Sequence, residues 1–126
     1  MKIFSKLVSF FSLLCVCISM AHAQTYPNKP IKLIVPFPPG GTADILGRML
    51  GDKLAVVTSQ SVIIENRAGA AGGIAAQSVA KSPADGYTLL FGTTGTQTMN
   101  PAINSKLPYD SLKDFASVSN FAASPF

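Results

Sequence analysis

The 126-residue chain carries 10 Lys and Arg against 6 Asp and Glu, a formal net charge of +4, and 48% of its residues are apolar. Its charges are interspersed, with no basic run and no interleaving of aromatic and basic residues, which excludes the electrostatic footprint of a nucleic-acid binder. Both cysteines and the only histidine, Cys15, Cys17 and His22, lie in the first 23 residues, so the remainder can form no disulfide, thiolate nucleophile, Ser-His-Asp arrangement or Cys/His zinc site.

Those first residues, MKIFSKLVSFFSLLCVCISMAHA, have the three parts of an export signal. Lys2 and Lys6 make the basic start, Leu7 to Met20 the apolar stretch, and Ala21-His22-Ala23 the small-residue cleavage site. The apolar stretch falls short of the roughly 20 residues a membrane span needs, so cleavage after Ala23 is expected rather than anchoring. Lipid attachment at Cys15 or Cys17 is the competing reading, but the large Leu14 and Val16 before them suit a lipoprotein peptidase badly. Cleavage leaves roughly 100 residues, enough for one small domain, and lowers the net charge from +4 to +2.

Gln24 to Pro30 reads as an exposed entry segment. Ile31 to Val35, IKLIV, is a β-branched run of the kind a parallel sheet buries on both faces. After the loop PFPPGG, Ala43 to Val57 places Leu46, Leu50, Leu54 and Val57 on one helical face, with Ile45 and Met49 beside them and Gly47 and Gly51 as weak points. Ser61 to Glu65 is a second strand, and NRAGAAGG at Asn66 to Gly73 a second glycine-rich loop that enters an alanine-rich helix, Ile74 to Lys81. SPADG is a turn, Tyr87 to Gly92 a third strand, and Thr93 to Pro101 a third small-residue loop. The segment from Ile103 to Phe115 reads as a short helix and loop, and Ala116 to Phe126 as the start of a strand. Strand, helix, strand, helix, strand predicts an α/β fold with a parallel sheet and right-handed crossovers.

In an open parallel sheet, ligands sit outside the carboxyl ends of the strands, and PFPPGGTAD and TTGTQTMN follow strands one and three directly. Both loops therefore belong on one rim. Gly40 and Gly41 let a ligand approach the backbone, and the helix starting near Thr42 turns free amides and partial positive charge toward it, which suits an anion. Thr93, Thr94, Thr96 and Asn100 add neutral hydroxyl and amide partners able to orient a carboxylate. Asp44 at the helix start either caps it or orders a water. No base, nucleophile or metal cage is evident, so the arrangement binds and releases, and no cofactor is implied.

Each feature has a plainer reading. PPGG alone is more often an ordinary turn, and the threonine loop a solvated connection. NRAGAAGG matches neither G-x-G-x-x-G nor G-x-x-x-x-G-K-[ST], which argues against a nucleotide, and Arg67 within it reads as a surface or structural arginine.

Taken together, YPNKPIKLIVPFPPGGTADILGRML, VIIENRAGAAGGIAAQSVAKSPADGYTLLFGT and NPAINSKLPYDSLKDFASVS resemble the N-terminal part of the tripartite tricarboxylate transporter substrate-binding receptors, the Bug family. The resemblance runs from about Tyr26 to the end and rests on several linked motifs. It implies a periplasmic-binding-protein-like (type II) fold of two α/β lobes closing on a small carboxylate by hinge motion. This chain would then hold part of the first lobe, a parallel sheet with flanking helices. The resemblance also implies that Phe37, Pro39, Gly40, Gly41 and Asp44, with Thr93, Thr94, Gly95, Thr96 and Asn100, supply that lobe's contacts to one ligand carboxylate. It implies a monomeric periplasmic receptor that passes its solute to integral membrane components.

Such receptors run to roughly 300 residues, as two lobes of ordinary domain size require, so the second lobe is expected to be absent here. Weak or no binding and marginal folding follow for the chain alone. A truncated, nonfunctional gene fragment is the alternative from another class, favoured by the abrupt apolar ending FAASPF. An exported enzyme on the same scaffold would need catalytic groups from elsewhere.

Overall fold

A computed structural model describes residues 26–123. The expected export signal and the last three residues lie outside them. Three strands, β1 (Ile31–Val35), β2 (Val62–Asn66) and β3 (Thr88–Leu90), form one parallel sheet in the order β2-β1-β3. Leu33 of β1 stands opposite Ile64 on one side and Leu89 on the other. The central strand has neighbours at both edges, and Ile31, Leu33, Ile34 and Val35 are all buried, as a strand covered on both faces requires, with only Lys32 exposed.

Helix α1 (Thr42–Thr58) packs on β1 and β2, and α2 (Gly73–Ala80) on β3 and β1. Val35 meets Gly47 of α1, whereas the next residue, Pro36, meets Gly72 at the entry to α2. Because successive side chains alternate, the two helices approach β1 from opposite faces. The closest contacts of α1 run through its glycines. A Cβ on Gly47 would stand 2.9 Å from Val35 Cγ2, and one on Gly51 2.8 Å from Ile64 Cδ1. Helix α2 enters the core through Ala75 and Ala76, both fully buried.

At the amino ends of the strands the entry segment is exposed but clamped. Tyr26 Oη donates to the Gly86 carbonyl (2.7 Å), and its ring meets Tyr87 edge-on at 5.0 Å. Lys29 pairs with Asp85 at 3.0 Å and lies over the Tyr87 ring.

Four expectations are corrected. Val57 was expected on the buried face of α1 and is 82% exposed, because Gly47 and Gly51 turn that helix a little away from its leucine stripe. Strand β2 starts and ends one residue later than expected, since Asn66 still pairs with Val35. The segment expected as a loop from Thr93 to Pro101 instead winds into a π-helical turn, Gly95–Met99, and a short helix α3, Asn100–Ile103, with Pro101 in its first turn. Pro101 lacks an N–H, and a first turn needs none there. Residues 116–123 form no strand; Phe121 meets the sheet side-on instead, its ring edge-on to Phe91 just beyond β3 at 6.4 Å.

Candidate functional site

Because all three strands are parallel, the loops that leave β1, β2 and β3 emerge at one rim. Two of them were expected there; the Arg67–Gly72 segment after β2 joins them. Gly72 sits between the other two: a Cβ there would meet Thr96 Cγ2 at 2.6 Å and Pro36 Cβ at 3.0 Å, and its φ of +88° lies where side chains are disfavoured.

The first loop, Pro36 to Gly41, has three residues without a backbone N–H, Pro36, Pro38 and Pro39, so few of its own donors can fix it. Asp44 supplies the fixing. It is 3% exposed and accepts from the Gly40 amide (2.9 Å), from Arg48 through two nitrogens (both 3.0 Å) and from Asn66 Nδ2 (2.9 Å). Asn66 Nδ2 also donates to the Phe37 carbonyl at 3.0 Å, and its oxygen faces Arg48 at 3.4 Å. Two acceptors around one nitrogen fix which way that amide points. Arg48, then the Gly40 amide, then Asn66 hold the Asp44 carboxyl well below the usual carboxylate range, and burial opposes them.

One consequence is that the Gly40 amide points inward to Asp44 rather than outward. The donors left at the rim are those of the first turn of α1, at Thr42 and Ala43, which have no acceptor within a helix and no side-chain cap here. They border an open depression of about 450 Å³ lined by Phe37, Pro38, Pro39, Gly41, Thr42 and Ala43. Sequence reading places free amides at the helix start near Thr42, within the loop PFPPGGTAD, without naming Thr42 or Ala43 as contacts, and it misses Asn66. Thr42 and Ala43 were legible as the first helical residues after a glycine; Asn66 is 22 residues from Asp44 and carries no local signal.

The third loop is closed on itself. The Thr93 amide donates to Thr96 Oγ1 (3.0 Å), which in turn donates to the Thr93 carbonyl (3.0 Å). Thr96 is fully buried, and its carbonyl accepts from Tyr109 Oη at 2.7 Å. Asn100 is 7% exposed and donates to the Ala71 carbonyl at 3.0 Å. Of the ten candidate residues, Phe37, Pro39, Gly40, Gly41 and Thr94 are exposed and Thr93 and Gly95 half-buried. Asp44, Thr96 and Asn100 are buried with their side chains engaged by the protein. Arg67 pairs with Glu65 at 2.7 Å, so both arginines near the rim already have carboxylate partners.

Residues 46–126 match the model of the tripartite tricarboxylate transporter family receptor. The chain belongs to that family. The match takes in the Thr93–Asn100 loop and begins just after Asp44. Among its relatives, protein BugT of Bordetella pertussis is 44% identical over 98 residues, which cover 77% of this chain and 30% of BugT. Of solved structures, Rpa4515 of R. palustris with adipate is 42% identical with a TM-score of 0.66, over 69% of this chain and 29% of that one. MatC of Rhodopseudomonas palustris with bound malate is 38% identical with a TM-score of 0.68, over 71% and 31%. The family chain thus has the parallel sheet and flanking helices of part of a periplasmic-binding-protein lobe. It spans about a third of the length of the curated relatives it matches.

Proposed function

We propose that this chain forms one wall of a carboxylate-binding cleft in an exported solute receptor, with the uncapped start of α1 as the carboxylate seat. The receptor acts as a monomer in the periplasm after cleavage behind Ala23, and delivers its solute to the integral membrane components of a tripartite tricarboxylate transporter. Family membership and relatives solved with adipate and malate support this reading.

The observation that carries it is local. At the carboxyl end of the central strand, the uncapped first turn of α1 at Thr42 and Ala43 lines an apolar depression beside Phe37, while the acid within reach, Asp44, is neutralised by Arg48. A helix start of this kind favours a negative group, and the apolar walls suit a short carbon chain behind it. The exposed candidates Phe37, Pro39, Gly40, Gly41 and Thr94, with Thr93 and Gly95, frame the ligand; Asp44, Thr96 and Asn100 support the frame from inside. Nothing in this arrangement supplies a nucleophile or a poised base, so the role is capture without chemistry.

A two-dimensional NMR titration of the chain with adipate, malate and a neutral diamide tests it. One wall binds weakly, so millimolar affinity is expected, with shifts at Gly41–Asp44 and Thr93–Gly95 for the acids only. Shifts that the diamide reproduces, or that avoid both loops, would refute the carboxylate seat.

A further inference from the structure

We infer that Asn66 and Asn100 are positioning residues that tie the three rim loops into one unit and so fix the amides of α1 for a ligand; this rests on the carboxylate seat proposed above. The need for such ties follows from the loops themselves. Pro36, Pro38 and Pro39 remove three donors from the first loop, so its carbonyls and turns must be held by groups from outside. Asn66, the last residue of β2, does this with both hydrogens of one amide nitrogen, one to Phe37 and one to Asp44. The first loop is thereby fastened to the edge strand next to it.

The second loop has the opposite problem. Ala70 and Ala71 hold φ values of +48° and +51°, which side chains adopt at a cost, and such backbone persists only where its surroundings hold it. Asn100 provides the hold, donating from α3 to the Ala71 carbonyl. Gly72, wedged between Pro36 and Thr96, completes the chain of contacts from first loop to third. Each asparagine therefore crosses from one loop to a backbone carbonyl of another, and neither has to reach the ligand to control where the α1 amides point.

The test uses the full chain with Asn66→Ala, Asn66→Asp, Asn100→Ala and Asn100→Asp. Amide hydrogen exchange reads Gly40, whose N–H goes to Asp44, and Gly72, whose N–H goes to Gly69. Expected are exchange about tenfold faster at Gly40 in the Asn66 variants and at Gly72 in the Asn100 variants, with β1 unchanged, on the scale of one lost hydrogen bond. Adipate affinity falls by a similar factor, with a smaller drop in melting temperature than Asp44→Asn produces. Asn66→Asp keeps the acceptor for Arg48 but sets a second carboxylate against Asp44, so it is expected to speed Gly40 exchange more than Asn66→Ala does, and the Asn100 variants carry the test should the Asn66 variants not fold. Unchanged exchange at both glycines overturns the inference, as does faster exchange with unchanged affinity, or acceleration spread evenly through β1. Should the wild type bind neither adipate nor malate while the glycine exchange still responds, the carboxylate seat fails and the ties between loops stand.

Discussion

Asp44 receives four hydrogen bonds, two of them from Arg48, and its charge is what makes them strong. Its folded-state ionisation lies below the ordinary value of 3.8, so it contributes stability that is complete above that value and lost as pH falls through the folded one. Asp85, held down by the Tyr87 amide and Lys29, and Asp110, held down by the Leu112 amide and Lys113, act in the same direction. The melting temperature is therefore expected to stay level from pH 7 to 5 and to fall below pH 4. Asp44→Asn lowers it at pH 7, and the gap to wild type narrows as the solution is acidified past pH 4. A gap that stays constant down to pH 2 would show that the carboxylate's charge is not what holds the loop. At Ala71 the prediction runs against habit. Alanine to glycine costs about 1 kcal/mol within a helix, but here the left-handed backbone already costs alanine about 1–2 kcal/mol. Ala71→Gly is expected to be neutral or to stabilise by up to ~1 kcal/mol in chemical denaturation, and a loss of that size would mean the turn depends on the methyl group.

Helix α1 separates what the sequence reveals from what it hides. Leucine spacing announced the helix, yet its closest approach to the sheet is made by Gly47 and Gly51, and a missing side chain leaves no apolar signal. Gly47→Ala drives a Cβ against Val35 Cγ2, a stiff branched side chain in the buried central strand, so a loss of about 1–3 kcal/mol is expected. Gly51→Ala presses on the end of Ile64 and touches Val62 Cγ1 at 3.4 Å, and because Ile64 Cδ1 can turn and alanine has the better helix propensity, a change within about 1 kcal/mol is expected. Val57→Lys, on the exposed side, should stay within ~0.5 kcal/mol. Urea unfolding of the three variants checks the order, and equal losses at Gly47 and Val57 would contradict the packing. Strand β1 was legible residue for residue because a central strand is written as a dense apolar run, here broken only by the exposed Lys32. The helical turn after β3 was not, because GTQTMNPAI is poor in helix formers and is shaped by Tyr109 and Ala71 from elsewhere in the chain. Much the same holds for the rim: its glycine loops could be placed from the order of elements, whereas Asn66 became visible only once β2 lay beside β1.

For the whole molecule the question is what kind of attraction the proposed seat would exert on an anion. The net charge is small and positive, but Arg48 and Arg67 are already paired with Asp44 and Glu65, and Lys29 lies at the other end of the sheet with Asp85. In the proposed seat, attraction would then come from backbone amides at close range rather than from a field of free cations. Amide donors act within a hydrogen-bond length, well inside the screening length of about 10 Å at 0.1 M salt, whereas steering by exposed charge falls steeply as salt rises. Raising sodium chloride from 0.05 to 0.5 M should therefore change the adipate dissociation constant by less than about threefold, since only the weak general field is screened. A loss of tenfold or more over that range would mean that a cation meets the carboxylate. Arg48 would be the one to suspect, released from Asp44 on binding, and the Asp44→Asn variant would then bind more tightly rather than less.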